Sequence, residues 1–119
     1  MVGASQTRTD AEDDRFAKLK QMRCIACTIC VETSRFMPTV RTVPEIHHLL
    51  SGNKRIGHMA TLPLCVHHHR GEPSNGLSKT TMAAIHGPSL ALSSRLFHQH
   101  FGTDTELLAR VNSLLENMA

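Results

Sequence analysis

The apolar positions of this 119-residue chain change period along its length. Phe16, Leu19 and Met22 recur at helical spacing behind Thr9-Asp10-Ala11-Glu12. That opening is a capping-box pattern, in which hydroxyl and carboxylate satisfy free N–H groups reciprocally, and it predicts a helix over roughly residues 10–22. Cys24-Ile25-Ala26-Cys27-Thr28-Ile29-Cys30 reads as a knuckle-type turn, and residues 31–42 have no clear period. Val43 to His48 reads as a short strand, Ser51-Gly52-Asn53-Lys54 as a turn, and Ile56 to Leu62 as the returning strand of a hairpin. Pro63 lacks an N–H and is expected to end that pairing. A short helix opens near His67, and residues 71–76 form a loop. Residues 77–85 are weakly helical before the break at Gly87-Pro88-Ser89. Leu92, Leu96, Phe97 and Phe101 predict a helix that stops at Gly102. Thr103-Asp104-Thr105-Glu106 is a second capping box. Leu107, Leu108, Val111, Leu114, Leu115 and Met118 behind it make the clearest amphipathic helix. The expected fold is α+β and mostly helical. Residues 1–9 form a polar lead-in, and residues 10–119 form a single domain.

Composition changes this picture in three ways. Four Phe and no Trp or Tyr leave little bulk for a core, so a structural metal would help to staple the fold. No apolar run can span a bilayer, and the N-terminus lacks the apolar region of a secretory signal. The expected setting is therefore cytoplasmic, away from membranes, where four cysteines favour metal over disulfides. The formal charge of +3 permits a nucleic-acid partner.

The chemistry concentrates in Cys65-Val66-His67-His68-His69-Arg70. Six of the nine histidines fall between His47 and His69. Cys24 and Cys27 have the spacing that lets two thiolates reach one tetrahedral ion, and Cys65 and His68 repeat it. These four are the candidate ligands of a structural zinc. Cys30 offers the same spacing to Cys27 and is an alternative, or a packing residue. Buried cysteines are often small hydrophobes, but two spaced pairs favour the metal. His47 and His48 would point to opposite sides of a strand. One could face a second, catalytic metal while the other acts as general base.

A hairpin carrying Glu45-Ile46-His47-His48, followed by a helix opening on Cys65-Val66-His67-His68-His69, resembles the HNH nucleases of the ββα-metal class. That resemblance implies a hairpin-plus-helix core with a zinc knuckle and flanking helices. It makes His47 and His69 ligands of a catalytic divalent ion and His48 the general base. Magnesium or manganese is the expected ion, with others possible. The middle Asn of the motif has no clear counterpart, and Ala60 or Thr61 stands near its place. Pro73 occupies the position of a further ligand found in some HNH sites, and His86 is the candidate to replace it. Cys24 to Cys27, Glu45 to His48, Gly57 to Cys65, His68 to Gly71 and Phe101 to Thr103 run in the order of the phage Ref-type recombination-enhancement nucleases. This resemblance covers roughly residues 22–110. It implies a DNA endonuclease that acts with RecA, encoded by a phage or prophage and working in a bacterial host. Lys54, Arg55, His58 and Arg70 are candidate DNA contacts, and for the first three the alternative is a solvated turn. The rival reading is a zinc-stabilised nucleic-acid-binding module without catalysis. A redox or metal-buffering role is disfavoured by the knuckle spacing.

Overall fold

A computed structural model of the chain describes residues 7–118, so most of the predicted lead-in lies outside the described residues. Helix α1 spans Asp10–Gln21 and begins with the expected capping box. Glu12 N–H donates to Thr9 Oγ1 at 3.1 Å, and Thr9 N–H donates to Glu12 Oε1 at 2.8 Å. Arg15, Phe16 and Leu19 form its buried face.

Helix α2, Ile25–Thr33, replaces the expected knuckle turn and part of the stretch without a period. Its signal is masked because Ile25, Ala26, Cys27 and Cys30 are all buried, leaving little polar alternation. Its β-branched residues also have low helix propensity, which packing overrides.

An extended segment leads to β1, Glu45–His48. The short strands β2, Leu50–Ser51, and β3, Lys54–Arg55, pair with each other at the tip of the same long hairpin. Strand β4, Thr61–Leu64, returns antiparallel to β1. Glu45 faces Leu64, Ile46 faces Pro63, His47 faces Leu62 and His48 faces Thr61. Pro63 therefore lies within the returning strand and does not end it. Alternate residues of an antiparallel strand turn their N–H away from the partner, and in a two-stranded sheet that side is a free edge, where Pro is tolerated.

Helix α3, Val66–Arg70, follows β4 directly and stops at Gly71, whose φ is 72°. A Cβ at Gly71 would stand 2.6 Å from the Leu92 side chain, so glycine meets both a backbone and a space requirement here. Helices α4, Lys79–His86, α5, Ser94–Phe101, and α6, Asp104–Glu116, complete the chain. The core gathers Leu19, Ile25, Leu62, Leu64, Phe97, Leu107 and Val111 from both ends of the sequence around the hairpin. The result is a mixed α+β fold with six helices and two small antiparallel sheets among the described residues. No helix there is long and apolar enough to cross a membrane.

Candidate active site and metal centre

Two helix beginnings face each other. Cys24 caps the N-terminus of α2, with Cys27 in its first turn. Cys65 caps α3, with His68 in its first turn. Residues three apart share a helix face, so each beginning presents two donors together. The His68 Nδ1 atom lies 3.6 Å from Cys24 Sγ, 3.6 Å from Cys27 Sγ and 3.2 Å from Cys65 Sγ. Cys27 Sγ and Cys65 Sγ are 4.0 Å apart. A tetrahedral zinc with ordinary bond lengths requires donor separations of about 3.5–3.8 Å. All four side chains are buried free donors, and their ligand atoms lie within 4.8 Å of one another. The donor set therefore fits a metal such as zinc, and the four residues expected to form it come together.

The surroundings orient these donors. His68 Nε2–H donates to the His86 carbonyl at 2.8 Å, which leaves Nδ1 for the thiols. Thr39 N–H and Oγ1 both approach Cys27 Sγ, at 3.4 and 3.3 Å. Hydrogen bonds from Cys24 and Cys65 hold the Cys27 thiol well below its ordinary pKa, although burial opposes this. Burial and the neighbouring thiols push Cys24 up. Burial disfavours His68 imidazolium, but the thiols around it outweigh that and raise its pKa. Protons and metal thus compete for the same atoms. Cys30 stays outside the quartet, with its Sγ 3.8 Å from the His86 carbonyl.

The second cluster is built on β1. Glu45 and His47 share one face of the strand and His48 takes the other. The His47 and His69 rings meet at 5.0 Å between centroids. His69 Nδ1–H donates to Glu45 Oε1 at 2.9 Å, which leaves its Nε2 as the atom with a free lone pair. Glu45 is fixed in turn by Arg70, whose Nε donates to Oε1 at 3.0 Å and whose terminal nitrogen donates to Oε2 at 2.8 Å. Slight burial raises the Glu45 pKa, but Arg70 and His69 overcome it and the carboxylate is held below its usual range. Burial first, then electrostatic coupling to the neighbouring His69, pulls His47 down to about 4. His47 is thus neutral near pH 7, the form in which imidazole binds metal.

The chain matches, over residues 8–116, the family model described as recombination enhancement, RecA-dependent nuclease. It belongs to that family. No curated protein and no solved structure matches it significantly.

In this member of the family, other expected site residues stand elsewhere. His86 does not join His47 and His69. Its Nδ1–H donates to the Met37 carbonyl at 2.7 Å, its ring lies tilted beside that of His67 at 5.8 Å between centroids, and its carbonyl supports His68. The reason is geometric: the His86 carbonyl accepts from His68 of the quartet, and the His86 ring is taken by the Met37 carbonyl. Among the described residues the Cys3His quartet is the one group of three or more donors close enough to hold an ion. Arg70 is engaged by Glu45 and by Glu72, the latter at 3.0 Å, rather than left free for a phosphate. His58 turns inward, and its Nδ1 lies 3.0 Å from His48 Nε2. Burial, then Arg55 and His58, lower the His48 pKa and favour the neutral ring. Lys54 and Arg55 remain exposed on β3 and are not ion-paired among the described residues. His67 is buried and its Nε2–H donates to the Gly87 carbonyl at 2.8 Å, so it supports the fold.

Sequence reasoning missed the contacts of Glu45 with His69 and of His58 with His48. Strand alternation places Glu45 beside His47, a signal that was available. Nothing in the local pattern pairs His58 with His48.

Proposed function

We propose that this protein is an HNH-type, metal-dependent DNA endonuclease that works on DNA organised by RecA. The observation that carries the reading is the His47–His69 pair, supported by the Glu45 carboxylate, with His48 on the adjacent residue. The order β1, β4, α3 supports a ββα-metal arrangement. His47 and His69 would hold the divalent ion, magnesium or manganese, which supplies charge neutralisation at the phosphate and the leaving oxygen. Glu45 orients His69 through Nδ1, as a carboxylate does behind a ligating histidine. His48, neutral near pH 7, takes a proton from water, whose oxygen attacks phosphorus as the P–O bond to the leaving sugar oxygen breaks. Lys54 and Arg55 at the hairpin tip contact backbone phosphates.

The site is open. A hollow of about 550 Å³ is lined by Thr39, Thr42, Cys65, His67 and Glu72 among others, and none of His47, His48 or His69 borders it. Partly exposed side chains along a strand suit a polymeric substrate better than a closed pocket does. The quartet's zinc holds the hairpin-to-helix junction. By the family's RecA relationship, the enzyme would work in a bacterial cytoplasm and be phage or prophage encoded.

The test is cleavage of single- and double-stranded DNA, with and without RecA filaments, in magnesium or manganese. His48→Ala should reduce cleavage by about 10²–10⁴-fold, the usual worth of a general base, with zinc content and fold unchanged. If no substrate is cut and His48→Ala binds DNA like the parent, the protein is a zinc-stabilised binding module.

A further inference from the structure

The turn between β3 and β4 is anchored from outside by a buried cation. Arg15, only 6% exposed, reaches from α1 to Thr61, the residue opposite His48 in the β1–β4 pairing. Its Nε donates to Thr61 Oγ1 at 2.8 Å, and a terminal nitrogen donates to the Thr61 carbonyl at 2.7 Å. The other terminal nitrogen donates to Asn112 Oδ1 on α6 at 2.7 Å. Thr61 Oγ1 donates onward to the His58 carbonyl at 2.9 Å. Every acceptor around this guanidinium is neutral. Burying a cation without an anionic partner is costly, and an apolar side chain of similar length would fill the space more cheaply. What the arrangement achieves is position: it fixes the His58 backbone on the side of β4 that faces His48.

The imidazole of His58 then meets that of His48, Nδ1 to Nε2 at 3.0 Å, with the rings 70° apart. Phe16, one residue from Arg15 on α1, stands edge-on to both rings at 6.0 and 5.4 Å and limits their rotation. Two tautomers can make the His48–His58 bond. If His58 donates, the remaining proton of neutral His48 sits on Nδ1 and the ring has no free lone pair. If His48 donates through Nε2–H, its Nδ1 is free to accept a proton.

We propose that His58 is the positioning residue of the catalytic base: its Nδ1 accepts the Nε2–H of His48, fixing the ring with Nδ1 as the proton-accepting atom, and the Arg15–Thr61 clamp holds His58 in place. This rests on the reading of His48 as general base. The proton account closes. Water gives its proton to His48 Nδ1, the resulting imidazolium shares its other proton with His58, and the Nδ1 proton leaves to solvent or to the departing sugar oxygen. No further donor is needed.

The experiment is steady-state cleavage of RecA-organised DNA by the zinc-loaded full chain. His58→Ala should lower kcat by about 10–100-fold, a common effect of removing a group that orients a functional histidine, with KM for DNA and bound zinc unchanged. His58→Gln, whose amide oxygen can accept from Nε2–H, should recover a substantial part of that loss. In the His48→Ala background, His58→Ala should have no further effect, because it acts only through His48. A raised KM with unchanged kcat would mean a phosphate contact and overturn the proposal. An equal fall in both backgrounds would overturn it too. If His48→Ala cleaves like the parent, the base assignment itself fails, whatever His58→Ala does. Should His58→Ala not fold, the comparison of His58→Gln with His58→Leu carries the same outcomes.

Discussion

Helix α3 presents neighbouring histidines to two clusters of opposite character. His68 enters a closed group in which three thiols and one imidazole converge, all buried, with their other atoms occupied by Thr39 and the His86 carbonyl. His69 enters an open one, paired with half-buried His47 and oriented by a carboxylate that is itself 30% exposed. A structural ion wants every position filled by protein, so that its binding energy becomes folding energy. A catalytic ion must keep positions for water and substrate, which is consistent with the smaller donor set of the proposed site. One helical step of about 100° is enough to send two adjacent side chains to these different clusters.

The comparison breaks most visibly at the closed group. Structural zinc is worth about 10–16 kcal/mol in small finger peptides, comparable to or larger than the net stability of about 5–15 kcal/mol of an ordinary domain. Cys27→Ala, or exhaustive chelation, should therefore unfold the chain, read as loss of the cooperative thermal transition and of helical circular dichroism. A variant that stays folded without zinc would show that the core suffices alone. Replacing His47 or His69, the proposed ligands of the second cluster, should not unfold the chain.

A smaller effect sharpens the proposed role of Glu45. Glu45→Gln keeps the shape but replaces the carboxylate behind His69, and should weaken binding of the catalytic ion by about 10–100-fold. Titration of cleavage against manganese concentration measures this, and zinc content should not change. An unaltered manganese dependence would remove Glu45 from the site.

Acid provides the mildest probe. The His47 pKa falls to about 4 in the folded chain, from an ordinary value of 6.5. A depressed pKa means that the unfolded chain takes up the proton more readily. The contribution to stability is therefore complete above pH 6.5 and lost as pH falls toward 4. The zinc quartet also weakens in acid, so the control is a variant. The parent should lose more thermal stability between pH 7 and pH 5 than His47→Gln does. Parallel losses would mean that His47 is not buried as described.

Local rules carried the sequence reading as far as they reach. Both capping boxes and the stripe of α6 depend on neighbours within four residues, and all three were readable. The quartet was readable for the same reason, since each half is an i, i+3 pair. Helix α2 was not, because nearly every residue of its first turn is buried and the polar face that would reveal a period is missing. Pro63 misled because its missing N–H matters only on the side where a partner strand runs.

What the sequence by itself determined was the set of donors and the local frames that hold them: Cys24 with Cys27, Cys65 with His68, and His47 beside His48 on a strand. What only the tertiary structure decided was how those frames meet. It set the His86 carbonyl behind His68 and its ring against the Met37 carbonyl, drew Arg70 to Glu45, turned His58 onto His48, and brought Arg15 across 46 residues to Thr61. These pairings depend on the relative placement of helices and hairpin, which packing of the shared core sets and no short-range pattern encodes.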